Sequence, residues 1–204
     1  MKIGYAMVLC LMIAVSFPMG ANAQSTKVKD SNMLTYENIS YGITMKYPAD
    51  WIIKQRANAL VVFGAPDKDP FDNAFYVFIE DFDHNPKTLS EFTDSEIENF
   101  KKNLDDFHLQ YRNKTSIAGQ PASEIILTWK LPLQKSSQTF DIVTHAIYII
   151  SKDRAYILSF SVEKSRYQEY LGDVRKMFQS FKISSQEKVE SQWPEVAFNP
   201  HTAA

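Results

Sequence analysis

One cysteine, Cys10, occurs in the 204 residues, and it lies inside the apolar run that begins the chain. Beyond that run no thiol remains, so disulfides and thiol chemistry are excluded and stability has to come from packing. Glycine is also scarce. Gly42, Gly64, Gly119 and Gly172 are the four that follow the first 23 residues, and none belongs to a G-x-G-x-x-G or phosphate-loop pattern, which removes those routes to nucleotide binding. His84, His108, His145 and His201 stand apart, with neither H-x-H nor H-E-x-x-H spacing, and read as surface or core side chains. The lysines and arginines are scattered without a basic stripe and the formal charge is −2, so nucleic acid is not an expected partner. No pattern assembles a nucleophile, a base and an orienting group, and the chain is read as a non-enzyme with no catalytic residue.

What is there begins at the N-terminus. Lys2 precedes an almost wholly apolar stretch from Ile3 to Met19, and Ala21-Asn22-Ala23 offers an A-x-A cleavage site before Gln24. Residues 1–23 are therefore expected to be a signal peptide. The mature protein is placed outside the cell, or in the periplasm or on the outer face of a membrane. Loss of Lys2 takes the formal charge from −2 to −3. The same run, about 17 apolar residues, stands at the lower edge of a spanning helix, so retention as an anchor is the alternative. Cys10 lies too far inside it for lipid attachment, which needs a full apolar region before the cysteine. The remaining residues, about 180, suit one domain with a sizeable core, expected as a monomer. Asn38-Ile39-Ser40 and Asn113-Lys114-Thr115 are glycosylation sequons, each as readily explained by chance.

Residues 24–34 are polar and aperiodic and read as a flexible leader. Ile43, Met45 and Tyr47 then alternate with Thr44 and Lys46, a strand ended by Pro48, and Trp51 reads as a core anchor. Strands follow at 59–64 and 74–82, separated by the loop Pro66-Asp67-Lys68-Asp69-Pro70. Leu89, Phe92, Ile97, Phe100, Leu104 and Phe107 recur at helical spacing and predict an amphipathic helix of about five turns, opened by a Thr88/Glu91 capping box. Strand periodicity returns over 109–117. After a turn at 118–121, Ile125, Leu127, Trp129 and Leu131 share one face. Residues 140–150 and 155–162 flank Ser151-Lys152-Asp153-Arg154 and predict a hairpin. A second helix is traced by Tyr167, Tyr170, Leu171, Val174, Met177, Phe178 and Phe181, with Ser165 and Gln168 as its capping box. Adjacent strands joined by short turns favour an antiparallel sheet, and two one-sided helices must cover it: an α+β layered fold. Residues 184–204 read as a polar tail whose Trp193, Val196 and Phe198 are candidates to strap across the domain.

Several short motifs now fall into order. Tyr41-Gly42-Ile43 followed by Tyr47-Pro48 and Trp51, then Ile117-Ala118-Gly119-Gln120-Pro121-Ala122, Tyr156-Ile157-Leu158, and a final helix ending Met177-Phe178-Gln179-Ser180-Phe181 resemble the PsbP-like family, which shares its fold with the Mog1 proteins. The resemblance covers residues 35–183. It implies an α/β/α sandwich with a central antiparallel sheet flanked by helices, and an accessory, non-enzymatic role toward a protein or membrane-complex partner. In a photosynthetic source it implies an extrinsic subunit of photosystem II that helps retain calcium and chloride. The photosystem-bound members rely on an N-terminal segment that the leader 24–34 does not match.

One polar cluster stands out as a candidate ligand site. Glu80-Asp81-Phe82-Asp83-His84-Asn85 ends a strand just before the capped helix, and Glu80, Asp81, Asp83 and Asn85 are candidate oxygen ligands for a hard cation such as Ca2+. The spacing is not that of an EF-hand, and acidic residues before a helix also stabilise its positive end without any ligand. Asp105-Asp106, placed by the periodicity at the end of the first helix, reads as a solvated end with a partner site as the alternative, and Asp67, Asp69 and Asp72 read as a solvated acidic loop.

Overall fold

The structure, a computed structural model, describes residues 32–66, 73–82, 87–133 and 139–184. Strand β1 (Met33–Asn38) pairs antiparallel with β2 (Ile43–Pro48), whose other edge takes β10 (Lys182–Ile183) to make a three-stranded sheet. The main sheet has seven strands in the order β3 (Ile52–Lys54), β4 (Val61–Gly64), β5 (Ala74–Asp81), β9 (Arg154–Glu163), β8 (Thr139–Ser151), β7 (Gln120–Pro132) and β6 (Asp105–Ile117), every neighbour antiparallel.

Both faces of this sheet are apolar, so the inner strands carry near-continuous hydrophobic runs. In β8, Val143, Ile147 and Ile149 look to one side while Ile142, Ala146 and Tyr148 look to the other, and all are buried. Helix α1 (Leu89–Asn103) covers the second side with Phe92 and Phe100, above Phe78, Ile125, Leu127, Trp129 and Ile157. Helix α2 (Tyr167–Ser180) and the small sheet cover the first: Val174, Met177 and Phe178 pack with Ile43, Met45, Trp51, Phe63, Phe75 and Phe160. The layers are thus helix, sheet, then helix with small sheet: the expected α+β sandwich. Trp51, in the bend between β2 and β3, and Trp129, on β7, are both core residues, as the sequence reading expects.

Several boundaries differ from the sequence reading for local reasons. The leader yields Met33 and Leu34 to β1, because Met33 opposes Pro48 and packs on the core. The strand of Ile43 to Tyr47 is therefore the second, and β3 and β10 are too short for periodicity to reveal. Helix α1 has about four turns. It stops when Leu104 turns extended while its N–H still bonds Phe100 O, so Phe107 belongs to β6 and Asp105-Asp106 begins that strand. Thr88 and Glu91 do form the capping box. Ser165 does not cap α2: a 3-10 turn, Lys164–Arg166, precedes the helix, Arg166 occupies the cap position with its side chain on Glu169 and not on the helix-end backbone, and Ser165 Oγ donates to Glu163. The β6–β7 turn is tighter than four residues. Ala118 and Gly119 both have positive φ, 56° and 73°, the two-residue geometry that matches strand twist. The β8–β9 hairpin forms as expected, around Lys152-Asp153. The loop 67–70 and the tail beyond Ser184, with Trp193, Val196 and Phe198, lie outside the described residues.

Candidate functional site

Alternation along β5 divides the acidic stretch. Glu80 lies on the α1 face with Phe78, whereas Asp81 lies on the α2 face. There Asp81 Oδ1 accepts from Arg154 Nε at 2.5 Å, and the Arg154 guanidinium stacks over Tyr41 with 5.3 Å to the ring centroid. The bond to Asp81 raises the Arg154 pKa further. Glu80 and Asp81 therefore do not converge, and Asp83 and Asn85 lie outside the described residues. Among the described residues no three His, Cys, Asp or Glu side chains gather closely enough to hold a metal.

A second polar group sits under α2. His145, on the buried side of β8, has Nε2 2.7 Å from Glu124 Oε1 and Nδ1 3.0 Å from Tyr167 Oη. The bond to His145 lowers the Glu124 pKa against the opposing effect of burial. An ionised carboxylate only accepts, so His145 donates through Nε2 and takes the Tyr167 proton bond at Nδ1. The composition is that of a proton relay, but burial raises the Tyr167 pKa and keeps its hydroxyl protonated. Its role is to join β7, β8 and the first turn of α2. The Val143, His145, Ile147 alternation was the signal for a core histidine, whereas Glu124, 21 positions earlier, comes beside it only through the β7–β8 register.

The remaining polar concentration is along β6. This 13-residue strand is exposed over most of its length and ends the sheet, with β7 its one neighbour among the described residues. Asp106, at φ 51°, accepts from Lys130 and pairs with His108, and these bonds lower its pKa. Arg112 reaches Asp94 of α1 at 2.6 Å. Register shifts between Asp105 and His108 and between Leu109 and Tyr111 bulge the strand. Leu109 opposes Leu127 and Tyr111 opposes Ile126, which face opposite sides of the sheet, so the second bulge sends the two exposed side chains to either side of the edge. Leu109 is 40% and Tyr111 41% exposed; Leu34, Ile39, Ile52 and Ile53, away from this edge, are more so. Sequence periodicity marked 109–117 as a strand but not as an edge, because edge status depends on pairing order.

Comparison with known proteins accords with this architecture. The profile of the PsbP-like protein family matches residues 16–183. No curated protein matches the chain. Among solved structures it is similar to cyanobacterial PsbP (CyanoP) from Synechocystis, at 12% identity and TM-score 0.54, with 79% of this chain and 98% of that one covered. It is similar to the Ran-binding protein Mog1p of Saccharomyces cerevisiae, at 11% identity and TM-score 0.52, with 76% and 96% covered. A protein of unknown function from Pseudomonas aeruginosa aligns at 15% identity and TM-score 0.52, with 72% and 94% covered. At such identities the structures speak for the fold alone, while the family profile spans most of the sequence. The chain belongs to the PsbP-like family.

Proposed function

We propose that this protein is an exported, non-enzymatic accessory protein that presents the β6 edge to a protein or membrane-complex partner. The observation that carries the reading is Leu109 and Tyr111, held on either side of a bulged edge strand with charged residues along it. Exposed apolar and aromatic side chains ringed by polar ones are the usual make-up of an interface centre. Bulges and charges along the same edge discourage indiscriminate strand pairing, which suits a partner that reads side chains. The N-terminal run supports export, and the family match supports an accessory role. The polar groups under α2 and around Asp81 are engaged with one another, which also favours binding over catalysis. In a photosynthetic source, photosystem II is the partner that family membership suggests.

A photo-reactive amino acid placed at Tyr111, and separately at Gln168 on the exposed side of α2, tests this in the native host. The expected result is one discrete adduct from position 111 that Leu109→Asp abolishes. Equal labelling from both positions would refute the assignment of the surface.

A further inference from the structure

The two sheets share an open rim on the side away from α2. There β1 ends the small sheet and β3 ends the large one among the described residues. Leu34 of β1 opposes Tyr47, and Ile53 of β3 opposes Phe63. Opposed residues share a face, and the Tyr47 and Phe63 rings meet between the sheets at 4.7 Å. Leu34 and Ile53 therefore flank that ring pair in one layer, with Tyr36 edge-on to Phe63 at 5.6 Å. Ile53 is the outermost member of the row Ile53, Phe63, Phe75, Phe160, and the small sheet above it stops at β1. Both rim residues are open to solvent, Leu34 at 44% and Ile53 at 47%. Ile52, on the opposite face of β3, is 60% exposed, because α1 lies mainly over β6, β7 and β8. A free strand edge with aliphatic side chains on both faces is the setting that natural folds cover with further chain.

We propose that this rim is the docking site of the chain's own C-terminal segment, with residues 195–199 laid along the outer edge of β3. Val196 and Phe198 are two apart and face Leu34 and Ile53, while Ala197 falls beside Ile52 on the other side. Pro194 and Pro200 bracket the segment, and proline is tolerated at such an outermost position because it needs no ladder donor. The reach is sufficient. The described chain ends at Ser184, whose N–H donates to Gly42 O at the turn end of β2, whereas Trp51 N–H on Pro48 O sets β3 at the other end. Passing back along six residues of β2 and down one layer spans roughly 30 Å. Val196 comes twelve residues after Ser184 and can lie up to about 40 Å from it. The leader before β1 is as near, since Asn32 O accepts from Ala49 N at 2.8 Å, but residues 24–32 offer Val28 as their one apolar side chain. The docked segment closes the β3 edge and leaves β6, at the opposite end of the large sheet, as the edge open to a partner.

Hydrogen exchange and thiol crosslinking test this on the full chain. Amide exchange over Ile52–Lys54 should be at least about tenfold slower in the wild type than in Val196→Asp/Phe198→Asp or in a chain ending at Ser184, while exchange in β8 stays the same. Equal exchange over Ile52–Lys54 in all three would overturn the proposal. For crosslinking, Cys10→Ser is combined with Leu34→Cys/Phe198→Cys, or with Leu109→Cys/Phe198→Cys as the control at the far edge, and a short bifunctional maleimide is added to dilute protein. The expected product is a link within one chain from the Leu34 pair, several times more abundant than from the Leu109 pair. Equal yields from the two pairs would overturn the proposal. So would a product joining two chains, which would make a second copy the occupant. The β6 surface takes no part, so labelling from position 111 is a separate result.

Discussion

Replacing Glu96 by glutamine should make the protein more stable at pH 8 than the wild type and change little at pH 5. Burial first, and the neighbouring Glu80 second, push the Glu96 pKa from 4.5 up to about 7, with Lys87 opposing. The folded state thus keeps a proton that the unfolded chain releases. The stabilisation from neutral Glu96 is fully present below pH 4.5 and is lost as pH rises to about 7. A shift of this size corresponds to at most about 3 kcal/mol, reduced to about 2 because partial exposure admits screening solvent. Glutamine has nearly the same shape and cannot ionise. Urea unfolding of both proteins at pH 5 and pH 8, with EDTA present, gives the difference directly, and other titrating groups cancel in the comparison. A Glu96→Gln difference that is the same at both pH values would refute the burial argument. So would a variant less stable than wild type at pH 8.

The two helix starts should respond differently to alanine. Thr88→Ala should cost about 1 kcal/mol in urea unfolding because the box is formed, whereas Ser165→Ala, at a residue that does not cap, should cost less than about 0.5 kcal/mol. His145→Ala should cost about 2–4 kcal/mol by leaving Glu124 and Tyr167 without their shared partner, and Tyr167→Phe about 1 kcal/mol. Equal losses for His145→Ala and Tyr167→Phe would contradict the central place given to the imidazole. Gly119→Val should cost about 1–2 kcal/mol through backbone strain alone, since φ is +73° and the space around it is open.

These contrasts also show where sequence reading was sufficient. Period-two alternation over Ile125, Leu127 and Trp129, and helical spacing at Phe92 and Phe100, are properties of single elements, and the buried faces they predict are the observed ones. The Thr88 box is likewise local. The Ser165 box was a correct pattern in the wrong place, because three residues of 3-10 turn satisfy the chain before α2 begins. Strand β10 is two residues long, too short for any period, and exists because β2 offers it an edge. Glu124 beside His145 is a product of strand register, which no linear spacing encodes. The acidic stretch looked like one cluster in sequence, but the pleat sends Glu80 and Asp81 to opposite faces.

The most direct test of the accessory role compares assemblies in gently solubilised envelopes of the native host. Cells would carry either the wild-type chain or the Leu109→Asp/Tyr111→Asp variant, and each protein would be followed by native electrophoresis. The account predicts that the wild type migrates in a larger complex and the variant as free protein, while the purified proteins melt within a few degrees of each other. A variant that stays in the complex, or a wild type that is never in one, would contradict it.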